Sequence, residues 1–490
     1  MALRRTGRRD DAQRERGTRT ALRLFHRAAE RVPAYKDFLK KSRVNPERVR
    51  TIADFQLVPP VSKANYLRTY PLEKLVWDGS LARSAVFSAT SGSTGEPFYF
   101  PRNKVLEEQS ACYHELFLRR TALKSEPRLV VICFGMGVWV GGLITHRAFQ
   151  ILANRGYRLA IVSPGVNKRE ALDAIKNLSV KFKQTILCGY PPLVKDIIDQ
   201  GTAEGIVWKK LHLRIIFAAE SFSEDFRDYV VSLAGIRSAC RDTMNIYGTA
   251  DLGTMAEETP LSILVRRRAL DRAELYRNIF GNTSRLPTLA QFNPDFIHFE
   301  EIDGRLLITG DSVLPLIRYD LGDRGGVRGF ADVQTALAEE HITVRRELQR
   351  TGGGEFEKWP FVFVYERDDL STKFYGAIVY PEPVREALQA VHLRRFVTGK
   401  FTMVTQTDRN HDQYLEVHVE LRGGVTPPAR FVELCRAAIL NRLIARSTEY
   451  HNNYKAMPQK VTPRVVLWEY EHPLHFKPGI KQRWVKKANL

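Results

Sequence analysis

The densest run of ligand-type groups in the chain is Thr90-Ser91-Gly92-Ser93-Thr94-Gly95, followed by Glu96 and Pro97. It lies between two short apolar, β-prone runs, Ala85-Val86-Phe87 and Phe98-Tyr99-Phe100. Glycines let backbone N–H groups turn inward, and with the hydroxyls of Thr90, Ser91, Ser93 and Thr94 they make a loop able to wrap a polyphosphate. No Gly-Lys-Ser or Gly-Lys-Thr follows, so this is not a Walker A loop. Taken alone, the same composition also makes a polar surface hairpin. Matching pieces elsewhere in the chain decide between the two.

Such a loop needs a frame. From residue 129 onward the pattern predicts strands at 129–134, 158–163, 185–188, 213–218 and 245–247, with helices at 143–154, 168–177, 192–200 and 224–234 between them. Strands separated by helices of this length form parallel βαβ units. In such sheets ligands gather beyond the strands' carboxyl ends, here the loops 135–142, 189–192, 218–221 and 247–251. Beyond residue 369 the pattern changes to short strands and two helices. The expected fold is therefore α/β. A large N-terminal domain with parallel-rich βαβ sheets (21–366) is joined by a hinge to a small α+β C-terminal domain (367–490). The first twenty residues hold seven arginines and three acids and are expected to form a basic, disordered tail. The arginine-rich stretch 260–286 is expected to be a solvated helical insertion.

At 490 residues the chain exceeds single-core size. Its net charge of +20 suits nucleic acid, an anionic membrane face, or anionic substrates such as nucleotides and CoA. No aromatic residues interleave with the basic N-terminal run and no zinc-finger or RNA-recognition signature is present, which argues against nucleic acid. The five cysteines are widely spaced; Cys133 and Cys188 fall in strand-like runs and read as buried core thiols. A reduced, cytoplasmic protein without structural zinc is expected. The longest uncharged stretch, 129–144, is short for a membrane span and broken by four glycines. Monomer and homodimer both remain open.

Several loops resemble those of the adenylate-forming enzymes, and within them the phenylacetate–CoA ligase-like branch with its capsule-synthesis-associated relatives. Residues 90–97 match that superfamily's phosphate-binding loop. Gly135-Met136-Gly137-Val138-Trp139-Val140-Gly141-Gly142 resembles the glycine-aromatic segment at its acyl pocket. Ala218-Ala219-Glu220 is similar to the stretch that contacts adenine, and Tyr247-Gly248-Thr249-Ala250-Asp251 to the Tyr-Gly-x-x-Glu motif. Pro315 to Asp323 resembles Pro-x-Ile-Arg-Tyr-Arg-Thr-Gly-Asp, Arg367-Asp368-Asp369 the hinge, and Gly479-Ile480-Lys481-Gln482-Arg483 the segment carrying the catalytic lysine. These pieces come in the family's order over roughly residues 50–490.

The resemblance implies activation of a small carboxylic acid by ATP as an acyl-adenylate, with Mg2+, and transfer to a thiol, most simply that of CoA. Pyrophosphate leaves, so donors are needed around the β,γ-phosphates, a cation between the phosphate oxygens, and a protein carboxylate to hold it. In this reading Tyr247 flanks adenine, Asp323 takes the ribose diol, Arg367 reaches ribose or phosphates, and Asp251 holds the metal. Lys481 neutralises the forming acyl-phosphate, with Lys477 as rival. Trp139, Gly141, Gly142 and Tyr190 shape the acyl pocket, and Asp369 is the pivot. Without the resemblance, Tyr247 is a core tyrosine, Asp323 a turn aspartate and Lys481 a solvated tail lysine. Departures are Asp251 in place of glutamate, Ala250 in place of a hydroxyl residue, Glu366 in place of glycine and Asp320 in place of arginine; Thr249, Glu257 or Glu258 are the residues available to compensate for Asp251. Two alternatives stand beside the CoA ligase: an adenylating enzyme whose acceptor is an amine or carrier-protein thiol, and a non-catalytic nucleotide-binding relative.

Overall fold

The computed structural model describes residues 2–84, 86–89, 98–121, 126–137, 140–281, 286–354, 356–367, 371–473, 475–476 and 485; for 2–14, 83, 366 and 367 the description is of the backbone. Of the expected site residues, Thr90, Ser91, Gly92, Ser93, Thr94, Gly95, Trp139, Asp369 and Lys481 lie outside the described residues.

The strands in chain order are β1 (Val61–Ser62), β2 (Val86–Ala89), β3 (Tyr99–Arg102), β4 (Arg128–Cys133), β5 (Leu159–Val162), β6 (Gln184–Gly189), β7 (Arg214–Ala218), β8 (Thr243–Thr249), β9 (Gly253–Glu257) and β10 (Thr288–Gln291). They continue as β11 (Ile297–Ile302), β12 (Arg305–Gly310), β13 (Leu316–Arg328), β14 (Phe361–Arg367), β15 (Thr372–Phe374), β16 (Ala377–Val379), β17 (Val397–Thr407), β18 (Gln413–Leu421) and β19 (Arg464–Trp468).

Among the described residues, one twelve-stranded sheet holds most of the N-terminal part, in the order β11-β12-β13-β14-β10-β9-β8-β7-β6-β4-β5, with β1 beside β13. Its β5-β4-β6-β7-β8 half is parallel, as the alternation of strands and helices predicts. Every residue of β4 and of β6 is buried, because helices cover both faces and each continuous apolar run has no solvent side. The crossover helices start where the sequence caps them: Asn167 accepts from the N–H groups of Arg169 and Glu170, and Ser223 from that of Phe226. From β9 the sheet turns antiparallel, a change that the βαβ pattern does not predict. Cys133 and Cys188 are buried core thiols, and all five cysteines are free.

Two stretches differ from expectation. The basic opening stretch is not a separate tail in the structure: a single helix spans Ala2–Arg31. Its Ala21, Leu24, Phe25 and Ala28 are buried in the cluster that packs on β11–β13, and Arg27 pairs with Asp311 at 3.3 Å. The arginine-rich helix Pro260–Leu270 is internal rather than solvated. Arg266 and Arg227 are buried with Glu224 and Glu258, Arg227 reaching Glu258 at 2.7 Å and Glu224 at 2.9 Å. Burying four charges together is tolerable only because the guanidinium forks satisfy the carboxylates.

Beyond residue 371, the hairpin β15-β16 and the sheet β17-β18-β19 form a C-terminal unit with the helices Pro381–Leu388, Phe431–Arg446 and Thr448–Ala456. It rests on the parallel half of the large sheet, and one apolar cluster runs from Leu129, Leu193 and Phe226 to Phe374, Leu415 and Ile439. No helix among the described residues is long and apolar enough to cross a membrane.

Candidate active site

Strand β8 ends at the carboxyl edge of the parallel half, and β13 passes close to it from the antiparallel half. Tyr247, half-buried on β8, donates its hydroxyl to Oδ2 of the buried Asp323 on β13 at 2.6 Å. Phe299 lies nearly parallel to the Tyr247 ring, at 6.1 Å and 26°. The structure thus brings the expected adenine and ribose residues together. Asp323 is also the register partner of Arg367, the last residue of β14. Gly248 follows Tyr247 where a Cβ would meet the carbonyl oxygen of Gly253 at 2.7 Å, so only glycine fits that turn. Thr249 accepts from the N–H of Leu252 at 3.2 Å through its hydroxyl.

Asp251 is buried just beyond β8. Its Oδ1 accepts from the Tyr319 hydroxyl at 2.7 Å, and the Lys63 ammonium lies 3.9 Å away. Lys63 arrives because β1 pairs in parallel with β13, setting Val61 opposite Tyr319 and Ser62 opposite Asp320. Lys63 and Tyr319 have no assigned role in the sequence reading; the Pro-Pro-Val-Ser-Lys run was the available signal. A magnesium ion takes one or two protein carboxylates and completes its shell with phosphate oxygens and water. Asp251 fits that pattern with Oδ2, since Tyr319 occupies Oδ1. Glu257 and Glu258 do not compensate for its short side chain, because they face Arg120 at 3.0 Å and Arg227 at 2.7 Å. Asp320 pairs with Arg305 at 3.1 Å and accepts from the N–H of Gly322, holding the turn before Asp323.

Ala219 and Glu220 follow β7. Ala219 has φ +74°, a left-handed conformation that costs a residue with a Cβ and is held by its surroundings: its carbonyl accepts from Lys373. Glu220 is buried; it accepts from the N–H of Gly376 and from Gln413 Nε2 at 3.0 Å. Burial raises its pKa, against the hydrogen bonds from Gly376 and Gln413. The expected adenine-side residues therefore also seat the C-terminal unit.

Tyr190 is enclosed. Its hydroxyl accepts from the N–H of Gly135 at 3.1 Å, its ring meets Phe134 edge-on at 5.3 Å, and a Cβ at Gly376 would overlap it. At Gly142 a Cβ would strike the Gly135 carbonyl and Met136 sulfur, whereas at Gly141 it would sit 3.6 Å from Phe134. Gly142 is thus required for closure of this segment, and Gly141 lies against the wall that holds Tyr190.

The unit is tied down by charge as well. Asp412, at the β17–β18 tip, meets Lys195 at 2.8 Å; Lys460 meets Asp196 at 3.0 Å and Asp412 at 2.9 Å; and Tyr375 donates to Asp196 at 3.0 Å. Asp196, Asp199 and Asp412 converge within 4.8 Å, and Lys195 and Lys460 lie against them.

A chain of 17% identity, 2-hydroxyisobutyryl-CoA ligase in complex with 2-HIB-AMP and CoA in the thioesterification state, superposes over 98% of this chain and 90% of its own with a TM-score of 0.62. The chain has the adenylate-forming fold. The same ligase in an open conformation and in the postadenylation state superposes less well, with a TM-score of 0.52 for each. In sequence, the chain is similar to the phenylacetate–coenzyme A ligase of Thermus thermophilus, 25% identical over 235 residues, and to that of Aromatoleum evansii, 24% over 226. These matches span 47% and 46% of this chain, and about half the length of the relatives, 48% of each. No family model matches. Within the adenylate-forming fold, the pairs described above lie on the carboxyl side of the parallel strands, where such α/β sheets take their ligands.

Proposed function

We propose that this protein activates a carboxylic acid with ATP as an acyl-adenylate and transfers the acyl group to a thiol, that of CoA. The observation that carries this reading is the Tyr247–Asp323 hydrogen bond beside Asp251, set in the adenylate-forming fold. The phenylacetate–CoA ligase relatives support the acid–thiol class.

In this reading the Tyr247 ring covers adenine and Asp323, oriented by the Tyr247 hydroxyl, accepts from the ribose diol. Asp251 Oδ2 is the protein ligand for Mg2+, which when bound neutralises phosphate charge as pyrophosphate departs. Lys63 adds positive charge on the same side, the loop 90–95 supplies hydroxyl and N–H donors, and Lys481 serves the adenylation step. Tyr190, Trp139, Gly141 and Gly142 bound the acyl pocket. Arg367 and Asp369 form a hinge between a domain of 21–366 and one of 367–490. Five free thiols, four of them buried, suit a reducing cytoplasm. The arginine-rich helix Pro260–Leu270 is internal and offers no basic surface to a large anionic acceptor, which favours CoA over a carrier.

Incubation with ATP, Mg2+ and a panel of carboxylic acids tests this. Acid-dependent ATP–pyrophosphate exchange, lost in Lys481→Ala, is expected, and mass spectrometry should find the CoA thioester. Absence of exchange with every acid overturns the reading in favour of a nucleotide-binding relative.

A further inference from the structure

We propose that the C-terminal unit carries a second anion site, a recess for a small phosphorylated organic ligand that is separate from the nucleotide site. The recess is shallow and open to solvent, with a volume of about 690 Å3, and is lined by the exposed side chains of Val391, His392, Arg394, Arg395 and Arg422. No acid lines it, and among the described residues none of its three arginines belongs to an ion pair. That differs from the neighbouring surface, where Arg446 pairs with Glu386 at 3.0 Å and Lys400 with Glu420 at 3.2 Å.

Two of the three guanidiniums are held by the fold. Arg422 Nε donates to the carbonyl oxygen of Arg394 at 3.0 Å, and the Arg422 N–H to that of Phe396 at 2.8 Å. Arg395 lies over the Phe396 ring at 4.8 Å, and that ring is braced edge-on by Phe431 at 5.0 Å. Like charges fixed around one recess repel, and an anion relieves that cost. The guanidinium fork matches phosphate oxygens in a bidentate manner and loses little freedom when it is already held. Val391, 71% exposed, offers an apolar wall at the rim, which suits an organic portion attached to the phosphate.

The place separates this recess from the adenylation chemistry. The tip of the β17–β18 hairpin contacts the N-terminal part through Asp412, whereas Arg395 and Arg422 stand at the hairpin's other end. The nine residues of β18 span roughly 30 Å. In this docked arrangement the recess therefore lies away from the contact made through Asp412, and it does not rest on the ligase reading.

Isothermal titration of the full-length protein with glycerol 3-phosphate, and separately with inorganic phosphate, tests the site. The ester should bind more tightly than inorganic phosphate and weaken as NaCl rises from about 50 to 200 mM. The double variant Arg394→Ala/Arg395→Ala and the variant Arg422→Ala should each weaken it about tenfold or more, and Arg422→Lys by less. ATP–pyrophosphate exchange and the melting temperature should be unchanged in all of them. Undiminished binding in the double variant overturns the site. Equal affinity for inorganic phosphate overturns the organic ligand, and loss of exchange in these variants overturns the separation from the nucleotide site.

Discussion

The hydroxyl of Tyr247 donates to Oδ2 of Asp323 at 2.6 Å, joining the end of a parallel strand to the middle of an antiparallel one. A hydrogen bond to a charged partner contributes about 1.5–3 kcal/mol. Tyr247→Phe keeps the ring and removes this orienting bond, so the KM for ATP should rise about tenfold with kcat nearly unchanged. Asp323→Ala removes the proposed ribose acceptor itself and should cost about a hundredfold in kcat/KM. Exchange rates across an ATP series measure both; equal effects of the two substitutions would contradict the assigned order of roles.

Gly376 sits with φ +77° against the Tyr190 ring, where a Cβ has no room. Gly376→Ala should displace the C-terminal unit from this docked arrangement. The docked arrangement superposes better on the ligase in its thioesterification state than on the open and postadenylation states described above. Under the proposed function, thioester formation should therefore fall by at least about tenfold while ATP–pyrophosphate exchange persists. Single-turnover assays of the two half-reactions separate these effects, and equal loss in both would contradict the account.

The ion pairs Lys195–Asp412 and Lys460–Asp196 cross between the N-terminal part and the C-terminal unit, and Lys460 also meets Asp412 within that unit. Removing one partner leaves a carboxylate of a partly buried network uncompensated. Lys460→Ala should therefore loosen the docked unit, visible as faster amide exchange over 371–379 and 408–413. Raised salt should produce a smaller change of the same kind.

Glu449 accepts from the N–H of Ile378 at 3.3 Å, and burial raises its pKa from 4.5 to about 7. Between those values the folded protein binds more protons than the unfolded chain, so this residue's contribution to stability is full below about pH 4.5 and is lost as pH rises through 7. Glu449→Gln lacks that slope. Relative to the wild type, it should gain up to about 3 kcal/mol on going from pH 4.5 to pH 8, read by urea unfolding at each pH. A wild-type–variant difference independent of pH would exclude Glu449 as the source.

The parallel half of the sheet was legible because β4, β6 and β7 are short, largely apolar runs, each followed by a helix. The pairing of Tyr247 with Asp323 was legible only through motif order, since seventy-five residues separate them in the chain and no local pattern joins them. Lys63 and Asp251 are farther apart still, and their approach depends on a two-residue strand too short to give a periodic signal. Arg266 read as solvent-facing because an arginine looks exposed until its carboxylates arrive from other elements, here Glu224 and Glu258. Glu220 carries the same lesson: its partners Gly376 and Gln413 come from the C-terminal unit, and nothing near residue 220 announces them.

Strand β13 holds Tyr319 against Asp251, holds Asp323 under Tyr247, and pairs Asp323 with Arg367 at the last residue of β14. The partner of Asp251 and Asp323, itself the register partner of Arg367, thus lie on one continuous backbone. Any ligand that draws on Asp323 also loads the strand end from which the C-terminal unit departs. By reciprocity, the angle of that unit must then change nucleotide affinity by the same free energy with which the nucleotide biases the angle. Under the proposed function, nucleotide binding and domain position are thus two readings of a single coordinate.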